Sequence, residues 1–139
     1  MTVTSPLERL AGPGKSLRVE AFDAKEYAGL LHSGGVRLAD AQRTDLALES
    51  RFDLGYSAAH ALCLAALRRQ GYRAENRYVV FQVLPHTLGL GPETWRVLAK
   101  CHEIRNRAEY EGELDVDEGL VTDLIRACNA VSEKLTDRG

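Results

Sequence analysis

The stretch YSAAHALCLAAL, residues 56–67, is the most apolar part of the chain and decides the fold class. Wound into a helix, it is apolar on nearly every side, which is typical of a helix packed against several neighbours. Its five alanines permit those neighbours to approach closely. We expect a central helix over residues 52–70 that ends at Gly71.

Capping and breaking residues predict two helices before the central one. Asp23 is a good capping residue for a helix that we expect to end at Gly34-Gly35. A second helix follows over residues 36–48, where apolar positions recur every three or four residues. Upstream, a short turn capped by Ser5 is possible, and residues 1–22 are otherwise expected to be a flexible segment.

Three more helical segments are predicted after the central helix. Residues 76–88 have helical spacing, although Pro85 is expected to bend or shorten the helix. Pro92 begins a long helix that ends near Gly112, because proline favours the first turn of a helix and glycine its end. The last helix follows residues 115–118 and carries a regular apolar stripe.

These segments predict an all-α fold, an up-and-down bundle of about five helices in one domain over residues 23–139. With 45% apolar residues, the 139-residue chain has enough apolar side chains for a core, which excludes a disordered protein. No apolar run reaches the ~18 residues of a membrane span, and the first residues lack the pattern of a signal peptide. A cytoplasmic location is therefore expected.

Several chemical motifs are incomplete, so the sequence predicts no cofactor and no metal. The segment GPGKS, residues 12–16, lacks the earlier glycine and the preceding strand of a phosphate-binding loop. His102-Glu103 begins like a zinc-protease motif, but Asn106 stands where the second ligand belongs. The three cysteines lie too far apart in sequence for a metal-binding pair, and we expect them to be small buried side chains.

The long helix over residues 93–111 carries an unusual run of polar residues on one side. That side begins with Trp95 and Leu98 and continues with His102, Arg105 and Glu109 at alternating spacings of three and four residues; Asn106 flanks them. Charged groups on a face that leans toward a core are costly unless they are paired or line a cleft or interface. The alternatives are an ordinary Arg105–Glu109 ion pair and a functional or dimer-interface cluster.

Three segments of the chain resemble the HEPN domain family over roughly residues 23–135. They are SAAHAL at residues 57–62, PHTL at 85–88 and above all RNRAEYEG at 105–112. The resemblance implies a helical bundle that usually forms a homodimer. Many members are metal-independent ribonucleases of toxin–antitoxin or phage-defence systems, some paired with an antitoxin or a nucleotidyltransferase. Others are inactive and bind nucleotides, RNA or protein partners.

The ribonuclease motif of that family has an arginine, a polar residue and then a histidine a few residues further on. Arg105 and Asn106 match this motif, but Tyr110 and its neighbours stand where the histidine belongs. An imidazole is a natural general base near neutral pH. It could instead come from His102, from His60 on the central helix, or from His102 of a second subunit.

Three functions remain open from the sequence. In a ribonuclease, Arg105 would bind the scissile phosphate, Asn106 would orient it, and His102 or Glu109 would move protons. In a non-catalytic dimeric module, Arg105, Glu109 and Tyr110 would instead form the polar centre of an interface or pocket. The third alternative is a scaffold without a ligand. Against it stands a group of arginines that could bind RNA phosphates, namely Arg68, Arg69, Arg73 and Arg77.

Overall fold

The structure is a computed structural model that describes residues 5–138, without the side chain of Arg138. These residues form seven helices and two short strands. In chain order they are α1 (Pro6–Leu10), β1 (Leu17–Val19), α2 (Ala24–Ala41), α3 (Leu48–Arg69), β2 (Tyr72–Ala74), α4 (Val79–Gln82), α5 (Leu84–Thr87), α6 (Pro92–Glu111) and α7 (Glu118–Arg138).

Helix α3 lies at the centre of a helical bundle. It packs against α2, α7 and α6, and also against the short helices α4 and α5. Its alanines and Cys63 are buried, as expected for a helix that is apolar on nearly every side. The predicted all-α bundle is confirmed. None of the described helices combines the length and the apolar character that crossing a membrane requires.

Helix α2 runs straight through Gly34-Gly35, where the sequence predicted a break between two helices. The reason is the contact with α3. A Cβ atom at Gly34 would lie 2.8 Å from Cδ2 of the buried Leu62, so the missing side chain lets the two helices approach closely. Gly55 serves the same purpose between α3 and α7, where a Cβ would lie 2.9 Å from Leu124 Cδ2. Two predicted helices are therefore one, and the bundle has four long helices.

The segment before residue 23 is folded onto the bundle over its described part. Ser5 caps the short helix α1 by accepting a hydrogen bond from the backbone of Glu8. Strand β1 pairs antiparallel with β2, with Leu17 opposite Ala74 and Val19 opposite Tyr72. The side chains of Leu7 and Leu17 are buried in the core. The folded unit thus extends further toward the N-terminus than the predicted boundary, because two leucines anchor a segment with weak local propensity.

The elements that carry the candidate site begin and end close to the capping and breaking residues that the sequence indicated. The segment over residues 76–88 is split into α4 and α5, with Pro85 in the first turn of α5. Helix α6 begins at Pro92 and ends at Glu111; the capping residue Gly112 follows, and its φ of 74° is a left-handed conformation that favours glycine. Asp117 caps α7 by accepting a hydrogen bond from the backbone of Leu120. Helix α6 packs against α7, α4 and α3, so three elements contact it.

Candidate functional site

His102 on α6 is held at both ring nitrogens. Its Nδ1 atom lies 2.8 Å from the hydroxyl oxygen of Tyr56 on α3, and its Nε2 atom lies 3.0 Å from the amide nitrogen of Asn106. An amide nitrogen can only donate, so Asn106 donates to Nε2 and the imidazole proton resides on Nδ1. The ring is half-buried, whereas Asn106 is exposed. The imidazole is therefore fixed in orientation, with its basic nitrogen covered by one side chain that can move.

Aromatic side chains pack against this imidazole. The ring of Tyr78 lies 5.4 Å from the His102 ring, and the ring of the buried Phe81 lies 6.1 Å away. His60 packs edge-on against the same Phe81 ring, with 6.4 Å between centroids. Since Tyr56 and His60 are four residues apart on α3, they share one face of that helix. The tertiary structure thus brings two imidazoles to one phenylalanine ring.

Burial favours the neutral, proton-accepting form of both imidazoles. The pKa of His60 is lowered to about 4, by burial first and by the positive charge of Arg77 second. The pKa of His102 is also lowered, by partial burial first and by Arg77 second. Burial raises the pKa of the Tyr56 hydroxyl, although Arg77 opposes this shift. Arg77 itself is exposed in the turn before α4.

Arg105 lies beside this cluster and contacts α3. Its Nε atom is 3.4 Å from Oδ1 of Asp53, and 37% of its side chain is exposed. Its charge is close enough to Tyr56 to lower the pKa of that hydroxyl. The guanidinium is thus held by a single weak contact at the surface, where a phosphate could displace the carboxylate.

The remaining predicted residues of α6 lie further out. Glu109 is exposed, yet its negative charge raises the pKa of His102 slightly against the effects of burial and Arg77. The side chain of Tyr110 is 92% exposed, which separates it from the half-buried cluster. His102, Asn106 and Arg105 are therefore the predicted residues that the structure brings together, with Glu109 at the edge and Tyr110 outside.

The four arginines predicted to bind RNA do not form one surface. Arg68 is 1% exposed, and its guanidinium bonds to the carboxylate of Glu26 and to the backbone oxygens of Glu20, Ala21 and Tyr72. A guanidinium occupied in this way has no face free for phosphate. The carboxylates of Glu20 and Glu26 also pair with Arg73.

The other two arginines of that group lie in different surroundings. The guanidinium of Arg69 lies over the ring of Tyr27, 5.4 Å from its centroid. Arg77 alone borders the histidine cluster, as its effect on the pKa values of His60 and His102 indicates. Arg77 therefore differs from the other three arginines in lying near the two imidazoles.

Sequence reasoning did not find Tyr56, Tyr78 or Phe81. The spacing of Tyr56 and His60 on an otherwise apolar helix was a usable signal, but nothing local indicated that α4 would cover both. Among residues 5–138, no group of three histidine, cysteine or acidic side chains is placed to hold a metal ion. Comparison of the chain with models of known families, with curated proteins and with solved structures finds no match.

Proposed function

We propose that the protein is a HEPN-like, metal-independent ribonuclease in which His102 is the general base. One observation carries the proposal: a half-buried imidazole is fixed between Tyr56 and Asn106, beside the guanidinium of Arg105. This combination matches the needs of RNA cleavage by the 2′-hydroxyl, which requires a neutral base and a cation at the phosphate. The resemblance of RNRAEYEG to the family segment supports the same assignment.

The reaction uses these residues in a defined order. Asn106 moves aside, and Nε2 of His102 takes the proton of a ribose 2′-hydroxyl. The 2′ oxygen attacks the adjacent phosphorus while Arg105 and Arg77 stabilise the charge that builds on the phosphate oxygens. The bond to the 5′ oxygen then breaks, that oxygen takes a proton from a water molecule, and the hydroxide so formed takes the proton from His102 Nε2, which restores the neutral imidazole. The products are a 2′,3′-cyclic phosphate and a 5′-hydroxyl end.

Tyr56 acts as a positioning residue in this scheme. By accepting the hydrogen bond from Nδ1, its hydroxyl keeps the proton on that nitrogen and leaves the lone pair on Nε2. His102, rather than Glu109, serves as the base because its imidazole is fixed and half-buried, whereas Glu109 is exposed. A homodimer would place two such clusters in one particle, as the family resemblance implies, and a toxin–antitoxin or phage-defence role fits this activity.

The experiment is cleavage of total RNA or tRNA by the purified protein in the presence of EDTA. We expect cyclic phosphate ends, and a loss of about a hundred- to ten-thousand-fold in rate for His102→Gln. The matched control is His86→Gln, since His86 is exposed on α5 and lies outside the cluster. Arg105→Ala is compared in the same way with Arg107→Ala, an exposed arginine two residues further along α6. No cleavage at high protein concentration, or equal rates for His102→Gln and the wild type, would refute the proposal.

A second candidate is a non-catalytic dimeric module that binds a nucleotide, RNA or a protein partner. The exposed ring of Tyr110, beside the exposed Glu109, favours it, because large exposed aromatic side chains are enriched at interfaces. In that case Arg105→Ala and Tyr110→Ala weaken dimerisation or ligand binding, measured by sedimentation, while RNA stays intact. Cleavage that depends on His102 would contradict this candidate.

A further inference from the structure

A groove on the far side of α3 from the histidine cluster consists of two adjoining cavities. The larger, of about 450 Å³, lies between α2, α3 and α7, and the smaller, of about 240 Å³, extends toward α5. Both are lined by Tyr27, Arg69 and Leu135, so they meet at those residues. Volumes of this size are typical of sites for small molecules.

The larger cavity is mostly apolar although Ser132 and Thr136 also line it, and polar groups form a larger share of the lining of the smaller cavity. Leu31 and Leu62 line the larger cavity, and Leu88 lines the smaller one. Gln70 and Thr87 join Arg69 in the smaller cavity. Such a gradient fits a molecule with an apolar body and a polar head.

Arg69 differs from its neighbours because it has no carboxylate partner among the described residues. Arg68 and Arg73 both pair with Glu20 and Glu26, whereas the exposed guanidinium of Arg69 contacts only the face of the Tyr27 ring among charged and aromatic groups. A guanidinium without an acidic partner, placed where a mostly apolar cavity meets a more polar one, is suited to a carboxylate.

Thr87 gives a second, independent indication. Its side chain is 1% exposed, and its hydroxyl oxygen has no hydrogen-bond partner within residues 5–138. Buried hydroxyls are nearly always hydrogen-bonded, so an unpartnered one beside a cavity points to a missing polar group.

We propose that this groove binds a small amphiphilic carboxylate, such as a medium-chain fatty acid. The carboxylate pairs with Arg69 and reaches the Thr87 hydroxyl, while the apolar chain lies against the leucines of α2, α3 and α7. The site is separate from the histidine cluster and does not depend on the proposed ribonuclease activity.

The test is calorimetric titration of the full chain with decanoate and with decanol, which has the same chain length and no charge. Helix α2 supplies one site for a blocking variant and one for its control. A Cβ at either Gly35 or Gly29 meets open space, and only Gly35 lines the groove. Leucine has a higher helix propensity than glycine, so replacing either glycine by leucine is expected to leave the fold intact. We expect Gly35→Leu to weaken decanoate binding at least about tenfold and Gly29→Leu to leave it unchanged.

Arg69→Gln tests the charge. We expect it to weaken decanoate binding about tenfold and to change decanol binding less than about twofold. A wild-type Kd for decanoate above about 1 mM would overturn the proposal. Equal affinity for decanoate and decanol would also overturn it, as would binding that Gly35→Leu does not affect.

Discussion

Replacing Arg68 by alanine is expected to cause a large loss of stability, although the residue is an arginine. The guanidinium is buried, with Nε 2.6 Å from Oε1 of Glu26 and Nη1 2.8 Å from the backbone oxygen of Glu20. Its Nη2 atom also donates to the backbone oxygen of Ala21. This one side chain therefore ties the end of α3 to the segment between β1 and α2.

The expected magnitude follows from what the substitution leaves behind. Removing one partner of a buried ion pair costs about 3–5 kcal/mol, because the other groups stay buried without a partner. Here the backbone oxygens of Glu20 and Ala21 lose their donor, whereas the Glu26 carboxylate keeps Arg73 as a partner, so the lower end of this range, about 3 kcal/mol, is expected. Arg68→Lys keeps the charge but has a single donor group, so it is expected to lose about 2 kcal/mol.

The assay is urea unfolding at pH 7, followed by far-ultraviolet circular dichroism. The control is Arg69→Ala, the next residue along the helix, which is exposed and is expected to change the free energy of unfolding by less than about 0.5 kcal/mol. Amide exchange at Glu20, whose backbone N–H donates to the backbone oxygen of Gly71, should also accelerate in Arg68→Ala, since the end of β1 loses its anchor. A loss of stability below about 1 kcal/mol in Arg68→Ala would refute the reasoning.

Two further predictions concern α2 and the histidine cluster. Gly34→Ala should destabilise the protein by about 1–3 kcal/mol, because the new Cβ meets Leu62. Gly35→Ala should stabilise it by about 0.5–1 kcal/mol, because its Cβ meets open space. Thermal unfolding measures both changes, and stability changes of the same sign in the two variants would contradict the packing argument. Since burial lowers the pKa of His60 to about 4, the unfolded chain, with a histidine pKa near 6.5, binds the proton more readily than the folded one. The stability that depends on a neutral His60 is therefore fully present above pH 6.5 and is lost as the pH falls toward 4. Between pH 7 and 5 the loss in the free energy of unfolding is about 2 kcal/mol. In urea titrations at these two pH values His60→Gln should lose correspondingly less, and an unchanged pH dependence would contradict the assignment.

The helices that local signals define were predicted well. The capping residues Ser5 and Asp23 and the start at Pro92 lie at helix ends as expected, because these signals act within one turn of the chain. Gly34-Gly35 was misread as a helix end for the same local reason. Their absent side chains serve the contact between α2 and α3, and that contact involves residues far apart in sequence.

The candidate site was predicted in part. Placing His102 and Arg105 on the inward-leaning face of one helix needed only helical periodicity. Their partners Tyr56 and Asp53 come from α3, about fifty residues earlier, so no spacing along α6 could identify them. For the arginine group the prediction failed in the opposite way. Arginines close in sequence were expected to form one surface, but Arg68 is buried while Arg77 is exposed.

By itself, the sequence determined that this chain forms a helical bundle, because periodicity, caps and breakers are short-range properties of the backbone and of apolar burial. Only the tertiary structure decided which polar groups meet. Packing of α4 and α6 on α3 places two histidines on one phenylalanine, and packing of α2 and of the segment that precedes it places Glu26 and Glu20 beside Arg68. Pairings of this kind depend on how distant segments pack against one another, and burial then sets the charge state and the accessibility of each group.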